Sequence, residues 1–405
     1  MDSRLRIVVT GLIAQHPLLG GITWHYLQYV LGLKLLGHDV FYLEDSGEWP
    51  YKLDGGDWAP SDSRPNVEYL ADVMAEFSLS DRWAYKCGPD HRWYGISDGR
   101  RRTVLRSADL LINVSGSVWR PWEYDEVERR AYIDTDPVFT QVNLARGDAE
   151  LGAKVSAHDV HFSFGERLER VPETPFRWYP TRQPIVLSEW APAAERRDVF
   201  TTVMNWTSYV PSTYEGETYG LKDVEFARFV TLPRRVTPSL EVALPLLEHP
   251  EWQVTESTRG NETPGSEENA TVHDFLSSAG WHVVDSTSSC AGFRQYRDYI
   301  SSSKAEWTVA KNAYVRAQAG WFSERSACYL ASGRPVVTQD TGLTGILPGG
   351  EGLVFFTTLD EAVAGVESVE SEYSRHAGAA RDLAAEYFRA ETVLDRLIDD
   401  ATRTA

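Results

Sequence analysis

The sequence predicts an α/β protein made of two Rossmann-like domains. Three observations carry that prediction. A strand–loop–helix–strand unit opens the chain, a helix–turn–strand unit lies about 300 residues later, and a Pro-rich, Trp-bearing stretch falls between them. The 405 residues suffice for two domains with separate cores.

The opening unit begins with Leu5 to Leu12, a continuous apolar run of the kind found in central parallel strands. A loop from Ala14 to Gly21 follows, then a helix from about Ile22 to Leu36 with apolar residues at helical spacing. Gly37-His38 ends the helix, and Asp39 to Leu43 is the next strand, closing on Glu44-Asp45. Such a βαβ unit crosses over right-handed.

From Trp49 to Arg102 the pattern blurs into loops and short helices. Trp83, Trp93, Trp119 and Trp122 read either as packing for an irregular subdomain or as platforms for flat acceptors. Ala108 to Val114 is a further buried strand. Arg130 to Ile133 is another, and it delivers Asp134-Thr135-Asp136-Pro137 at its C-terminal end. A capping role for Asp136 beside Pro137 is the plainer reading, and a role in the site the alternative. His158 to Glu166 reads as the last strand of the first domain, and Pro172 to Pro192 as the linker.

The second half opens with a strand, Val199 to Met204, that ends at Asn205. Lys222 follows a Gly-bearing loop and is placed to meet a phosphate, although a lone lysine is commonly a solvated surface residue. Phe226 to Leu232, Leu240 to Leu247 and Trp281 to Val284 supply further pieces, and Glu256 to Ala270 is a polar surface loop. A helix from Phe293 to Ser303 and a strand from Glu306 to Ala310 come next. Ser323 caps a helix that ends at Gly333, and Pro335 to Thr338 is a short buried strand. Gln339-Asp340-Thr341-Gly342 is then a loop where backbone can approach a ligand. Leu353 to Phe356 is a strand, and Leu359 to Val366 and Glu372 to Ile398 are helices.

Lys+Arg number 40 against 59 Asp+Glu, a net charge of −19. Nucleic acid and anionic membranes are poor default partners for such a chain. The three cysteines have neither metal-site spacing nor a disulfide framework, so a reducing, cytoplasmic setting and no metal are expected. No run approaches the length of a membrane span, and no signal-peptide core precedes the first strand. The four Asn-x-Ser/Thr sequons then carry no meaning.

Ala331-Ser332-Gly333-Arg334-Pro335-Val336-Val337 resembles the helix-to-strand passage in the nucleotide-sugar-binding half of GT-B glycosyltransferases of the family 1 and family 4 kind. Gly20-Gly21, the helix and Gly37-His38-Asp39-Val40 resemble the opening of the same enzymes. The resemblance implies two Rossmann-like domains facing across a cleft. It implies an acceptor domain over 1–190, a donor domain over 191–390, and a helix over 391–405 that packs back on the first domain. Thr392 to Ala401 is the candidate for that helix. Closure of the domains about the linker is expected with it.

The activity implied is metal-independent transfer of a hexose-type sugar from a nucleotide-sugar to a hydroxyl of a small molecule or glycan. No cofactor beyond the co-substrate is expected. A GT-B nucleotide-sugar epimerase and a catalytically silent nucleotide- or sugar-binding protein are the alternatives. His16, in the loop after the first strand, resembles the catalytic histidine of inverting members, with Asp134 or Asp136 to orient it. A loop histidine bonding only backbone is the competing reading. Asn205, Lys222, Ser323, Glu324, Arg325, Asp340, Thr341 and Gly342 are the expected donor contacts, and Gly20 and Gly21 form the acceptor-side loop. The paired glutamates of retaining families align with Gly320 and Cys328, so a donor ribose must be held otherwise. His16 suggests inversion and the Gly-Arg-Pro-Val-Val passage retention, which leaves the stereochemistry open.

Overall fold

A computed structural model describes residues 4–51, 63–88, 92–246, 249, 252 and 270–403. The chain forms two compact units. One comprises residues 1–166, 172–186 and 388–405, the other 167–171 and 187–387.

The first unit is built on an eight-stranded sheet. Its strands are β1 (Arg6–Thr10), β2 (Asp39–Glu44), β3 (Trp83–Cys87), β4 (Arg92–Gly95), β5 (Leu110–Val114), β6 (Arg130–Asp134), β7 (Val160–Ser163) and β8 (Trp178–Pro180). Their order is β4-β3-β2-β1-β5-β6-β7-β8, parallel throughout except for the β3–β4 pair. β8 lies inside the stretch that the prolines mark as linker. Trp178 to Pro180 pair with His161 to Ser163, so the linker begins later than the sequence suggests.

Helices α1 (Gly20–Leu35), α2 (Arg64–Glu76), α3 (Asp98–Arg106), α4 (Phe139–Ala145) and α5 (Ala149–Ser156) cover the sheet. Helix α1 buries eleven of its sixteen residues and is apolar nearly all round, as befits a helix covered on both sides.

The second unit holds a six-stranded parallel sheet with the order of a doubly wound nucleotide-binding fold. Its strands are β9 (Val199–Val203), β12 (Ser239–Leu244), β13 (His282–Asp285), β14 (Ala305–Thr308), β15 (Val336–Gln339) and β16 (Leu353–Phe356), in the order β13-β12-β9-β14-β15-β16. A small antiparallel pair, β10 (Ser212–Tyr214) and β11 (Glu217–Tyr219), stands apart. The helices are α6 (Lys222–Ala227), α7 (Val272–Ala279), α8 (Ser286–Ser289), α9 (Gly292–Ser302), α10 (Asn312–Ala317), α11 (Glu324–Ala331), α12 (Leu359–Ser371) and α13 (Tyr373–Tyr387). The loop expected over Glu256 to Ala270 lies, up to residue 269, outside the described residues. The core centres on Trp307, stacked on Phe356 at 5.5 Å and flanked by Phe226, Phe229 and Trp281.

The single long helix expected over Glu372 to Ile398 is two helices. It breaks at Phe388-Arg389, where Ile185 N donates to Phe388 O and Ala390 N donates back to Ile185 O. Helix α14 (Ala390–Arg403) then packs on α1 within the first unit. Gly32 makes that contact possible, since a Cβ there would lie 2.5 Å from Leu394 and 2.8 Å from Ala390.

Candidate functional site

In an open parallel sheet, ligands gather at the C-terminal ends of the strands where the winding reverses. In the first unit that point lies between β1 and β5. The loop after β1 is held there by Glu44, at the end of β2. Its buried carboxylate accepts from Ala14 N at 2.8 Å, Gln15 N at 2.6 Å and the Tyr42 hydroxyl at 2.8 Å. Burial pushes the Glu44 carboxyl up to about 7, against the opposing pull of those hydrogen bonds.

His16 sits at the end of this loop, half-buried and stacked on Tyr51 at 4.8 Å. Desolvation lowers it to about 4, so the ring is neutral near pH 7. Its ring makes no hydrogen bond among the described residues. The expected pairing with Asp134 is therefore absent, and the reason is visible at Asp134. That buried carboxylate accepts from Asp136 N, the Thr140 hydroxyl at 2.7 Å, Gln141 Nε2 at 2.9 Å and the Ser163 hydroxyl at 2.9 Å. It ties β6 to β7 and α4, and burial pushes it up to about 6. Asp136 is half-buried, and its carbonyl accepts from the Thr140 N–H and hydroxyl.

Gly20 and Gly21 are not loop residues. They open α1, whose N-cap, Leu19, offers no side-chain cap.

The sequence reading missed His25, on the second turn of α1. It is half-buried, with Nε2 3.2 Å from the Ser115 hydroxyl, which in turn lies 2.8 Å from the Thr135 hydroxyl. Ser115 and Thr135 directly follow β5 and β6. The available signal was the helical offset from Gly20-Gly21, which turns residue 25 back toward the strand ends.

In the second unit the reversal lies between β9 and β14. Asn205, just past β9, is exposed and without a hydrogen bond among the described residues. Lys222 opens α6. It is half-buried, and its ammonium has no hydrogen-bond or ion-pair partner among the described residues. Desolvation, with Arg325 and Lys311 as like-charged neighbours and against the opposing pull of Glu306, holds its pKa well below the usual lysine range.

A network fixes this arrangement. Buried Glu225 accepts from Asn312 Nδ2 at 2.7 Å and from Gln339 Nε2, and Asn312 N donates to Leu221 O at 3.1 Å. Helix α6 is thereby pinned to the ends of β14 and β15.

Arg325 is not a surface donor contact. It is buried and spends its guanidinium on Glu306, Val203 O and the Thr308 hydroxyl at 2.8 Å, stitching β9 to β14 beneath Lys222. Ser323 occupies the N-cap of α11, but its hydroxyl makes no capping bond, contrary to expectation. Glu324, in the first turn, accepts from Cys328 Sγ at 3.1 Å. Asp340 turns inward on its own loop, accepting from Gly342 N, Leu343 N and the Thr344 hydroxyl. The Thr341 hydroxyl donates to Trp321 O at 2.6 Å. Gly342 has φ +96°, and a Cβ there would lie 2.5 Å from Gln318 O. The side chains of Asp340 and Thr341 are spent on building the loop.

No protein-family model matches the chain, and no curated protein matches it. Solved structures do. The chain is similar to an alpha-glucosyltransferase in complex with UDP and a 13-mer DNA (12% identity, 98% of this chain and 100% of that one, TM-score 0.60). It is similar to HepE of Anabaena in complex with UDP and glucose (9% identity, 98% and 100%, TM-score 0.54). A third is the sucrose-phosphate synthase of Thermosynechococcus elongatus (11% identity, 99% and 100%, TM-score 0.51). At such identities the likeness speaks to the fold, and the fold is GT-B.

Proposed function

We propose that the protein transfers a sugar from a nucleotide-sugar to a hydroxyl of a small-molecule or glycan acceptor. The observation that carries this reading is Lys222. An ammonium desolvated without an ion pair of its own, with Arg325 and Lys311 as like-charged neighbours and Glu306 already paired to Arg325, in a protein of net charge −19, is arranged to receive an anion. A nucleoside diphosphate fits its position at the reversal of a doubly wound sheet.

In the reaction, the bond from the anomeric carbon to the β-phosphate oxygen breaks and its electron pair leaves with the nucleoside diphosphate. Lys222, with Lys311 behind it, meets the developing charge without a metal. The acceptor oxygen bonds the anomeric carbon and gives up its proton. His16, neutral and half-buried, is the candidate to take it, and it does so without a carboxylate partner. The exposed Asn205 amide and the backbone of the Thr341-Gly342 loop are assigned to the donor.

UDP is the first nucleotide to test, being bound in the two neighbours above. One of those complexes also contains DNA, so the fold itself does not exclude a nucleic-acid acceptor. The acidic chain favours a small or glycan acceptor.

The test is a thermal-shift screen with UDP, GDP, dTDP, ADP and CMP. A nucleotide at 100 times its dissociation constant adds about 2.7 kcal/mol to stability. Free nucleotide plus a new glycoside supports the transferase. An isomerised sugar points to an epimerase, and an unchanged ligand to a binder. Activity that survives chelation supports metal independence. No response to any nucleotide removes the donor-site assignment.

A further inference from the structure

A cavity of about 580 Å³ lies in the first unit, at the opposite end of its strands from the loop of His16. Arg6 and Asp39 open β1 and β2, Arg82 precedes β3 and Asp109 precedes β5, so the cavity sits at the N-terminal ends of parallel strands. Arg4 and Arg100, the latter on α3, complete its charged lining, and buried Phe41 and Val104 supply apolar surface. The ligands of such a sheet's own chemistry gather at the carboxyl ends of the strands. This cavity therefore stands outside the transfer reaction.

Four guanidiniums meet two carboxylates there. Asp39 accepts from Arg6 Nε at 2.7 Å and from Arg82 Nη1, and Arg4 Nη2 stands 4.0 Å from it. Asp81 accepts from Arg100 Nη2 at 2.8 Å, with Arg82 Nε 3.7 Å away. Asp109 adds a third carboxylate to the lining. It accepts from Arg6 N at 2.6 Å and ion-pairs with no guanidinium among the described residues. With all three aspartates counted against the four arginines, one positive charge is in surplus, in a chain of net charge −19.

The arginines are also crowded. Those of Arg6, Arg82 and Arg100 lie 5.9, 4.8 and 5.9 Å from the centre of the single Phe41 ring, which attracts each of them while they repel one another. A guanidinium carries several N–H donors in a fixed fork. Among the described residues Arg6 spends two of its own on the Asp39 and Ser107 side chains, Arg82 and Arg100 spend one each, and Arg4 spends none. The unspent forks suit an anion with more than one face. A carboxylate offers two oxygens in one plane, whereas a phosphate offers three in separate directions. The volume is that of a small-molecule site, and the three aspartates interrupt the basic surface that a polyanion needs.

We propose that this cavity binds the phosphate group of a small molecule, free phosphate or a phosphate ester, on Arg4, Arg6, Arg82 and Arg100. The test is isothermal titration calorimetry of the full chain at about 0.15 M ionic strength, where distant charges are screened. The probes are inorganic phosphate, glucose 6-phosphate, gluconate and a short single-stranded DNA. Arg4→Gln/Arg100→Gln removes two forks and spares the fold, because Asp39 keeps Arg6 and Arg82 and Asp81 is exposed. The double variant weakens phosphate binding at least about tenfold, with its melting temperature held. Should it melt early, Arg4→Gln alone must weaken binding at least about threefold. Arg102→Gln, on α3 but outside the lining, and Lys222→Met each leave the affinity within about twofold. Equal affinity for the two phosphates assigns the cavity to free phosphate, and tighter glucose 6-phosphate assigns it to an ester; both support phosphate binding here. Absence of saturable phosphate binding overturns the proposal, as does gluconate binding as tightly as glucose 6-phosphate or DNA binding without either phosphate. A loss on Arg102→Gln that equals the double variant's reduces the site to general surface charge. A loss on Lys222→Met alone moves the phosphate to the second unit, and either result overturns the proposal.

Discussion

The strand-end edges of the two units share a topology and differ in chemistry. Each sheet reverses its winding beside its first strand, and each gathers polar residues there. The first edge is built from neutral imidazoles and from carboxyls that burial pushes up to about 7 and about 6. The second holds the Arg325–Glu306 pair and, beside it, Lys222, whose ammonium makes no ion pair among the described residues. On the proposed reading, the difference lets one fold plan serve two ligands. An edge stripped of net charge suits a hydroxyl, and an edge with surplus positive charge suits a phosphate.

The cations of the second edge are themselves of two kinds, and substitution separates them. The largest effect is expected at Arg325. Arg325→Ala leaves Glu306 buried without its partner and lowers unfolding free energy by about 3–5 kcal/mol, read from urea denaturation. A loss below about 1 kcal/mol would mean that Arg325 is not the stitch described. Lys222→Met is expected to behave in reverse. It costs about 10²–10³-fold in kcat and abolishes the nucleotide-induced thermal shift. Without ligand its melting temperature holds or rises, because no partner is orphaned. A nucleotide shift that survives Lys222→Met breaks the comparison at its strongest point.

The first edge is tested through Glu44. Its carboxyl titrates near 7 when folded and near 4.5 when free. Between those values the folded chain holds a proton that the unfolded chain has lost, so this group's contribution to stability falls as pH rises. It is full below about 4.5 and gone above about 7, a change on the order of 3 kcal/mol. Subtracting the Glu44→Gln profile from the natural one between pH 5 and 8 isolates the effect. A flat difference would show that Glu44 does not titrate there. The smallest effect belongs to Thr341→Val, which removes the bond to Trp321 O and costs about 1 kcal/mol by thermal melt. Nucleotide affinity should stay within a few-fold, since the proposed function assigns the loop's backbone, not this hydroxyl, to the donor.

Much of this fold is legible in the sequence. Leu110 to Val114 and Leu353 to Phe356 read as strands because β-branched and apolar runs bounded by turn residues have few other uses. The helix stop at Gly333, with φ +63°, was equally legible. What failed depended on contacts distant in the chain. Trp178 to Pro180 form a strand only because β7 offers an edge beside them. The helix break at Phe388 is set by Ile185, some 200 residues earlier. The site divided in the same way. Sequence position placed His16 in the loop after the first strand and Lys222 after a Gly-bearing loop. It gave no hint that Asp134 was already saturated by Thr140, Gln141 and Ser163, or that Arg325 points inward. Whether a polar side chain is spent or available is decided by packing, which no local pattern reports.

The return of α14 to α1 has a consequence for how the protein is made on the ribosome. Residues 390–403 are translated after every residue of the second unit, yet they belong to the first. The first unit therefore waits through most of translation with the Gly32 face of α1 uncovered, and it closes after the second unit has emerged. The usual vectorial order, N-terminal domain first, is inverted here. Emergence of α14, rather than of β8, is then the event that completes the first unit.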